Sequence, residues 1–325
     1  MFAYAGQAIL HATIAALVLE ALLRLWRVQD PGERLRLRWV GLLSPLVTLA
    51  YVCFVPARST AGFGLRWALF AGARWDGLRL GPFGAATTLT AVLACLGLAL
   101  YLRDAIPFLA DRTVRGEGDA PLPDGHPAVR RLRALVDAAS APAPPVPVSV
   151  RVVELDTPVL LCSGVERPRI VASTATIDRL GDDELDAAVA HELEHVRHRD
   201  PLGGWWLMAV RTLQCFNPAI QILGRQAVVE IERRADLAVV RGGLGRSLAS
   251  AIRRLASVGE VRSDLVSEPG RAGLAERVQS RAHRHAIAER CARLTEAIVP
   301  TRTGLSLWHV GMAGVTLAVM LFFVV

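Results

Sequence analysis

The sequence predicts a mainly α-helical integral membrane protein, with four transmembrane helices plus an α+β domain built on a small antiparallel sheet. Three observations carry this expectation. Apolar residues make up 52% of the 325, and mean hydropathy is +0.36, too apolar for an ordinary soluble enzyme with 21% charge. Four apolar runs approach or reach the length of about 17–25 residues that a bilayer span needs. Strand-like alternation is confined to one stretch, residues 148–172.

Tyr4 to Trp26 is the first apolar run and ends at Arg24 and Arg27. No basic residues precede it and no small-residue cleavage site follows, so it reads as a span rather than a cleaved signal peptide. His11 and Glu20 lie within it on opposite faces, so they do not form a joint site. Trp39 to Val55 is the second span and Phe83 to Leu102 the third. The connection from Arg27 to Arg38 holds four arginines in twelve residues, while the Pro56–Pro82 loop, more than twice as long, also holds four. Trp67 and Trp75 in that loop suit a membrane interface. Arg103, Arg112, Arg115, Arg130, Arg131 and Arg133 follow the third span. The positive-inside rule puts the N-terminus outside and everything between spans three and four in the cytoplasm of a multi-pass cell-membrane protein.

Asp111 to Gly125 is polar and punctuated by Gly and Pro, a linker. His126 to Ala139 reads as a short basic helix, and Ala141 to Pro147 (APAPPVP) as a stiff spacer. VSVRVVEL, PVLLC and RIVAS read as strands, with Cys162-Ser163-Gly164 as a turn. A strand beside a helix that carries chemistry can bind a peptide by edge pairing, or only pack against that helix. Pro201 to Gly224 reads as an interfacial or partly inserted helix that breaks at Asn217-Pro218, with Trp205 and Trp206 at headgroup depth. Arg241 to Pro300 is Arg-rich and helical with a loop near Ser263 to Gly273, and Leu305 to Val325 is the fourth span.

The net charge of +7 comes with no lysine at all, and the arginines flank the spans. No nucleic-acid motif accompanies them, so the expected partner is the lipid bilayer and not nucleic acid. Five cysteines without CxxC spacing argue against both a disulfide framework and a thiolate metal site.

Chemistry concentrates between Ala187 and Asp200. Gly181-Asp182-Asp183-Glu184 supplies an acidic first turn, Leu185, Ala188, Val189 and Val196 recur at helical spacing, and Pro201 is expected to stop the run. His191 and His195, four apart, can reach one metal from one helix face. HExxH is the spacing of a catalytic zinc site, with Glu192 as general base. Wheel geometry alone does not separate Glu192 from Glu194; the motif order selects Glu192. About forty residues on, Glu230-Ile-Glu232-Arg-Arg-Ala-Asp236 can supply a glutamate to complete a His-His-Glu site. Asp236 can hold a histidine ligand from behind.

HELEHVRHRD, NPAIQILG and EIERRAD, together with PRIVAS and DELDAAVAHELEH, resemble the integral-membrane gluzincin peptidases. The likeness is strongest to the beta-lactam sensor-transducer (antirepressor) family, and more distant to the heat-shock membrane protease and CAAX prenyl protease families. It covers roughly Val148 to Gly242. The resemblance implies one zinc ion per chain, with His191 and His195 as ligands, Glu232 as third ligand and Asp236 as supporting carboxylate. Glu192 is then the base, and Glu230 an alternative ligand. It further implies a protein or peptide substrate, such as a transcriptional repressor or a membrane protein. The corresponding organisation is a three-span region over 1–110, a linker over 111–147, a gluzincin-type zinc metallopeptidase domain over 148–300 and the fourth helix over 301–325. Sensor-transducers of that family carry an antibiotic-binding domain after the last membrane helix. This sequence ends in that helix, so beta-lactam sensing is not expected. A non-proteolytic zinc-binding membrane signalling scaffold is the alternative, and an intact Glu192 argues against it. His283 and His285 are read as a solvated face rather than as oxyanion partners.

Overall fold

The computed structural model describes residues 2–54, 77–80, 82–114, 121–139, 147–266, 274–296 and 304–323. The interfacial role expected of Trp67 and Trp75 lies outside the described residues. The chain forms two compact units, each assembled from separate stretches: residues 1–115, 205–232 and 300–325 in one, 116–204 and 233–299 in the other.

The first unit opens with α1 (Phe2–Leu25) and α2 (Pro31–Phe54), followed by the two-residue strands β1 (Arg79–Leu80) and β2 (Phe83–Gly84) and by α3 (Ala85–Val114). α2 begins eight residues before the expected span because Asp30 caps it, its Oδ1 accepting from the Gly32 and Glu33 N–H groups at 3.0 and 3.1 Å. α3 continues into the expected linker as far as Val114. Two apolar clusters hold the unit together: Ala12, Leu42, Ile220 and Leu223 in one, Leu19, Leu23, Leu37 and Leu317 in the other.

Two described helical segments, Ala5–Leu25 and Ala85–Ile106, are long and apolar enough to cross a membrane. Among the described residues, two helices rather than the four expected from sequence meet this measure of length and composition. α11 (Leu307–Phe322) is apolar but only 16 residues long, about 24 Å of helix against a hydrocarbon core of about 30 Å. α3 leaves Leu89, Val92, Leu96 and Leu102 exposed.

The second unit contains α4 (Pro127–Ala139), strands β3 (Ser149–Val153), β4 (Leu160–Ser163) and β5 (Arg169–Ser173), and the helices α5 (Thr174–Arg179) and α6 (Asp182–Arg197). The sheet order is β3-β5-β4. β4 pairs antiparallel with β5, but β3 pairs parallel with it, so the sheet is mixed and the antiparallel expectation is corrected. The reason is burial. β5 carries Ile170, Ala172 and Ser173, all at 0% exposure, and takes the centre, whereas β4 is only half-buried and takes an edge. Alternation along a strand reports its faces and says nothing about its neighbours. Gly164, at φ 88°, makes the turn out of β4.

α6 ends at Arg197, three residues earlier than Pro201 suggests. Arg199 adopts φ 54°, turning the chain, and a new helix α7 (Asp200–Leu213) starts at once with Pro201 in its first turn. A proline there has no intrahelical partner to lose. The expected break at Asn217-Pro218 is present, and α8 (Pro218–Arg241) begins there. Buried side chains satisfy the turn: Gln221 Nε2 donates to the Arg211 and Gln214 carbonyls, and Asn217 Nδ2 to the Ala8 carbonyl, all at 3.1 Å. Helices α9 (Gly245–Val266) and α10 (Leu274–Thr295) complete the second unit. Its core joins α4, the sheet and α6 through Leu132, Ile170, Leu185 and Leu193, with a second cluster of Ala187, Val239, Leu248 and Leu294.

The start of α6 supplies a stability prediction. Glu184 accepts from the Gly181 N–H at 3.0 Å and from Ser250 Oγ at 2.6 Å, and pairs with Arg254 at 3.2 Å. Burial pushes its carboxyl up, but these partners outweigh burial and hold it below its ordinary value. A depressed folded value means stabilisation that is complete above about pH 4.3, the ordinary value, and is lost as pH falls through the folded one. Glu184→Gln is expected to cost on the order of 1 kcal/mol at pH 7. The difference in thermal midpoint between parent and variant should close on acidification; a pH-independent difference would contradict this account.

Candidate metal centre

α6 carries His191 and His195 on one face, and the two Nε2 atoms lie 3.2 Å apart with the rings 4.9 Å centroid to centroid. A tetrahedral zinc with bonds of about 2.0–2.1 Å holds two nitrogens about 3.3–3.4 Å apart. Both Nδ1 atoms face carboxylates instead. His195 Nδ1 lies 2.8 Å from Asp200 Oδ2, and His191 Nδ1 lies 3.2 Å from Asp236 Oδ1. This turns both Nε2 lone pairs toward one point, the arrangement of carboxylate-backed metal histidines. Glu232 completes the group, with one ligand atom from each of His191, His195 and Glu232 within 4.8 Å of one another. Helix geometry explains its company, since Glu232 precedes Asp236 by one turn of α8.

Each supporting aspartate has its own arginine. Arg234 donates to Asp200 Oδ1 at 2.5 Å, and Arg290 grips both oxygens of Asp236 at 2.9 and 2.7 Å. Burial raises both carboxyls, but the facing imidazole and guanidinium outweigh it, and both sit below the ordinary range. They are therefore carboxylates at any pH at which a neutral imidazole is available for a metal. Arg290 also brings a guanidinium nitrogen to 3.4 Å from His191 Nε2.

The structure separates the two glutamates that the helical wheel leaves equivalent. Glu194 is bound to Arg197, with His198 at 3.6 Å. Glu192 turns toward β4 and accepts from the Cys162 backbone N–H at 2.7 Å. Glu230, the alternative ligand, is 2% exposed and paired with Arg34 at 2.7 Å, and the metal-type group includes Glu232 instead. The Cys162 thiol is pushed up to about 12 by burial and by Glu192 and Asp200, which keeps it a thiol rather than a thiolate ligand. His285 is exposed, and the His283 side chain lies outside the described residues.

Sequence reasoning missed Asp200, Arg234 and Arg290. Asp200 was legible in principle, as an acid five residues past His195 and just beyond the end of the helix. Arg290 is 54 residues from Asp236 and has no local signal.

The family model described as BlaR1 peptidase M56 matches residues 87–254, just over half of the chain and a range within which the five expected site positions fall. Among curated proteins, the chain is 32% identical over 78 residues to the regulatory protein BlaR1 of Bacillus licheniformis, covering 24% of this chain and 13% of that protein. It is 34% identical over 84 residues to the protease HtpX of Legionella pneumophila, covering 25% and 29% of the two chains. A protease HtpX homolog of Acidiphilium cryptum is 34% identical over 97 residues, covering 29% of this chain and 33% of its own. The match thus spans a third or less of each relative. The family match, over half the chain, carries the assignment: the protein belongs to the BlaR1 peptidase M56 family.

Proposed function

We propose that this chain is a membrane-embedded zinc-dependent endopeptidase that cleaves a protein substrate, a repressor or a membrane protein being the class that the sequence resemblance implies. The observation that carries the reading is the convergence of His191, His195 and Glu232 within 4.8 Å, with both histidines backed by aspartates. His191, His195 and Glu232 would hold a single zinc ion. When bound, zinc polarises the scissile carbonyl and lowers the pKa of its water to about 7. Glu192 takes the proton of the attacking water and returns it to the leaving amine. The Cys162 N–H fixes the carboxylate for that task. Asp236 and Asp200 keep the two imidazoles in the tautomer that leaves Nε2 unprotonated. β4 pairs with β5 on one side, and its Cys162 N–H points away from that ladder toward Glu192. An extended substrate would pair with the part of this edge that Glu192 does not occupy, its scissile bond beside the base.

In this reading the chain crosses the cell membrane four times, with the N-terminus outside and the peptidase domain, residues 148–300, on the cytoplasmic side. Residues 1–110 form the three-span region, 111–147 the linker and 301–325 the last span. The test uses the purified full chain in detergent. It should bind one zinc per chain and cleave a loosely folded protein. His191→Ala, His195→Ala and Glu232→Ala should each weaken zinc binding and abolish cleavage, and a chelator should reversibly do the same to the parent. A parent that cuts equally well after complete zinc removal refutes the reading.

A further inference from the structure

The first unit contains a buried charge pair that the chemistry above does not use. Glu230 on α8 is 2% exposed, and Arg34 on α2 donates to its Oε1 at 2.7 Å, with Arg38 Nε at 3.8 Å. Arg38 also donates to Gln226 Oε1 at 2.6 Å, one turn earlier on α8. Arg225 next to it grips both oxygens of Asp104 on α3, at 2.8 and 3.0 Å, and donates to the Leu100 carbonyl at 3.0 Å. The platform that carries Arg34 is itself fixed. Arg34 donates to the Val28 carbonyl at 3.1 Å, Asp30 caps its helix, and Glu33 accepts from the Leu305 N–H at 2.9 Å.

Gln226 and Glu230 lie within about 40° of each other on the wheel of α8, and Glu232 lies about 200° further round. One face of α8 is thus keyed to α2 by charge, and the opposite face carries the carboxylate that joins His191 and His195. A buried ion pair adds little net stability compared with apolar packing, and its best-attested use is to fix register. Register matters at this position. With a radius of about 5–6 Å including side chains, a rotation of about 10° moves a carboxylate by about 1 Å. That is several times the tolerance of about 0.2 Å on a metal–ligand distance.

Resting on the reading of Glu232 as a zinc ligand, we propose that Arg34 and Glu230 are positioning residues. Their pair sets the rotation and axial register of α8 and thereby delivers Glu232 to the metal. It follows that a movement of α2 along α8 is expected to change zinc affinity.

The test compares the purified full chain with the doubly neutralised R34Q/E230Q, in which Arg38 loses Glu230 but keeps Glu20 at 3.5 Å, and with Glu232→Ala as reference. Zinc affinity is read by competition with a chromophoric chelator, and ligand geometry by the visible absorption of the cobalt(II)-loaded chain. R34Q/E230Q is expected to bind zinc about 10–100-fold more weakly, as for loss of an outer partner of a ligand. Its cobalt spectrum should move toward that of Glu232→Ala. Zinc affinity and spectrum both equal to those of the parent, whatever happens to the thermal midpoint, overturn the proposal. If R34Q/E230Q does not fold, Arg34→Lys, which keeps the charge but loses the planar fork, is read by the same two measurements. If Glu232→Ala binds zinc like the parent, the ligand assignment itself fails and takes the positioning role with it. That outcome differs from one in which Glu232→Ala is impaired and R34Q/E230Q is not.

Discussion

Glu192→Gln is expected to lower the rate of peptide cleavage by about 10²–10⁴-fold while leaving one zinc per chain in place. The substitution keeps the size of the side chain and an oxygen that can still accept from the Cys162 N–H, so the 2.7 Å bond that now holds Glu192 has a substitute. It removes only the ability to take a proton. Glu194 is not positioned to replace it, being bound to Arg197 with His198 at 3.6 Å. The measurement is a rate of cleavage alongside metal content on the same sample. Zinc retained with a rate within tenfold of the parent would move the base elsewhere, and a scaffold reading would gain if parent and variant were equally inert. Loss of zinc in Glu192→Gln would mean that the carboxylate belongs to the ligand set, which the grouping of His191, His195 and Glu232 argues against.

What was legible in the sequence was what is local. The acidic turn at Gly181 to Glu184, the spacing of His191 and His195, and the break at Asn217-Pro218 are all written within one or two helical turns, where period and capping decide the outcome. The join between α6 and α7 was misread by three residues, because Pro201 is as compatible with a helix's first turn as with its end. Strand order was not legible, since which strand of the sheet is central depends on what α4 and α6 bury, and that is a tertiary quantity. The span count rests on length and composition alone, which two described helices satisfy, whereas α11, starting at Leu307, has 16 residues. At the metal centre the sequence names His191, His195, Glu232 and Asp236, but neither Asp200 as a partner of His195 nor the arginine behind either aspartate. Nothing local sets Arg234 or Arg290 apart in a chain with 37 arginines. Only the fold shows that each neutralises an aspartate behind a histidine.

Those two His-Asp-Arg chains are expected to be unequal in effect. Asp200→Asn and Asp236→Asn should both weaken zinc binding, within the range of about 10–100-fold seen when the carboxylate behind a metal histidine is lost. An asparagine oxygen can still accept from an imidazole N–H, but without its charge the imidazole becomes a poorer donor to the metal. At Asp200 that is the main loss. At Asp236 a second effect adds to it, because Arg290 holds a nitrogen 3.4 Å from His191 Nε2. Its charge is now offset by the two Asp236 oxygens at 2.7 and 2.9 Å. With asparagine there, an uncompensated guanidinium faces the point where the cation must sit. Asp236→Asn should therefore lie near the hundredfold end and Asp200→Asn near the tenfold end, and adding Arg290→Gln to Asp236→Asn should recover part of the lost affinity. Chelator competition on the four proteins checks the order. Equal losses, or a further loss on adding Arg290→Gln, would mean that Arg290 serves to orient Asp236 rather than to oppose the metal's charge.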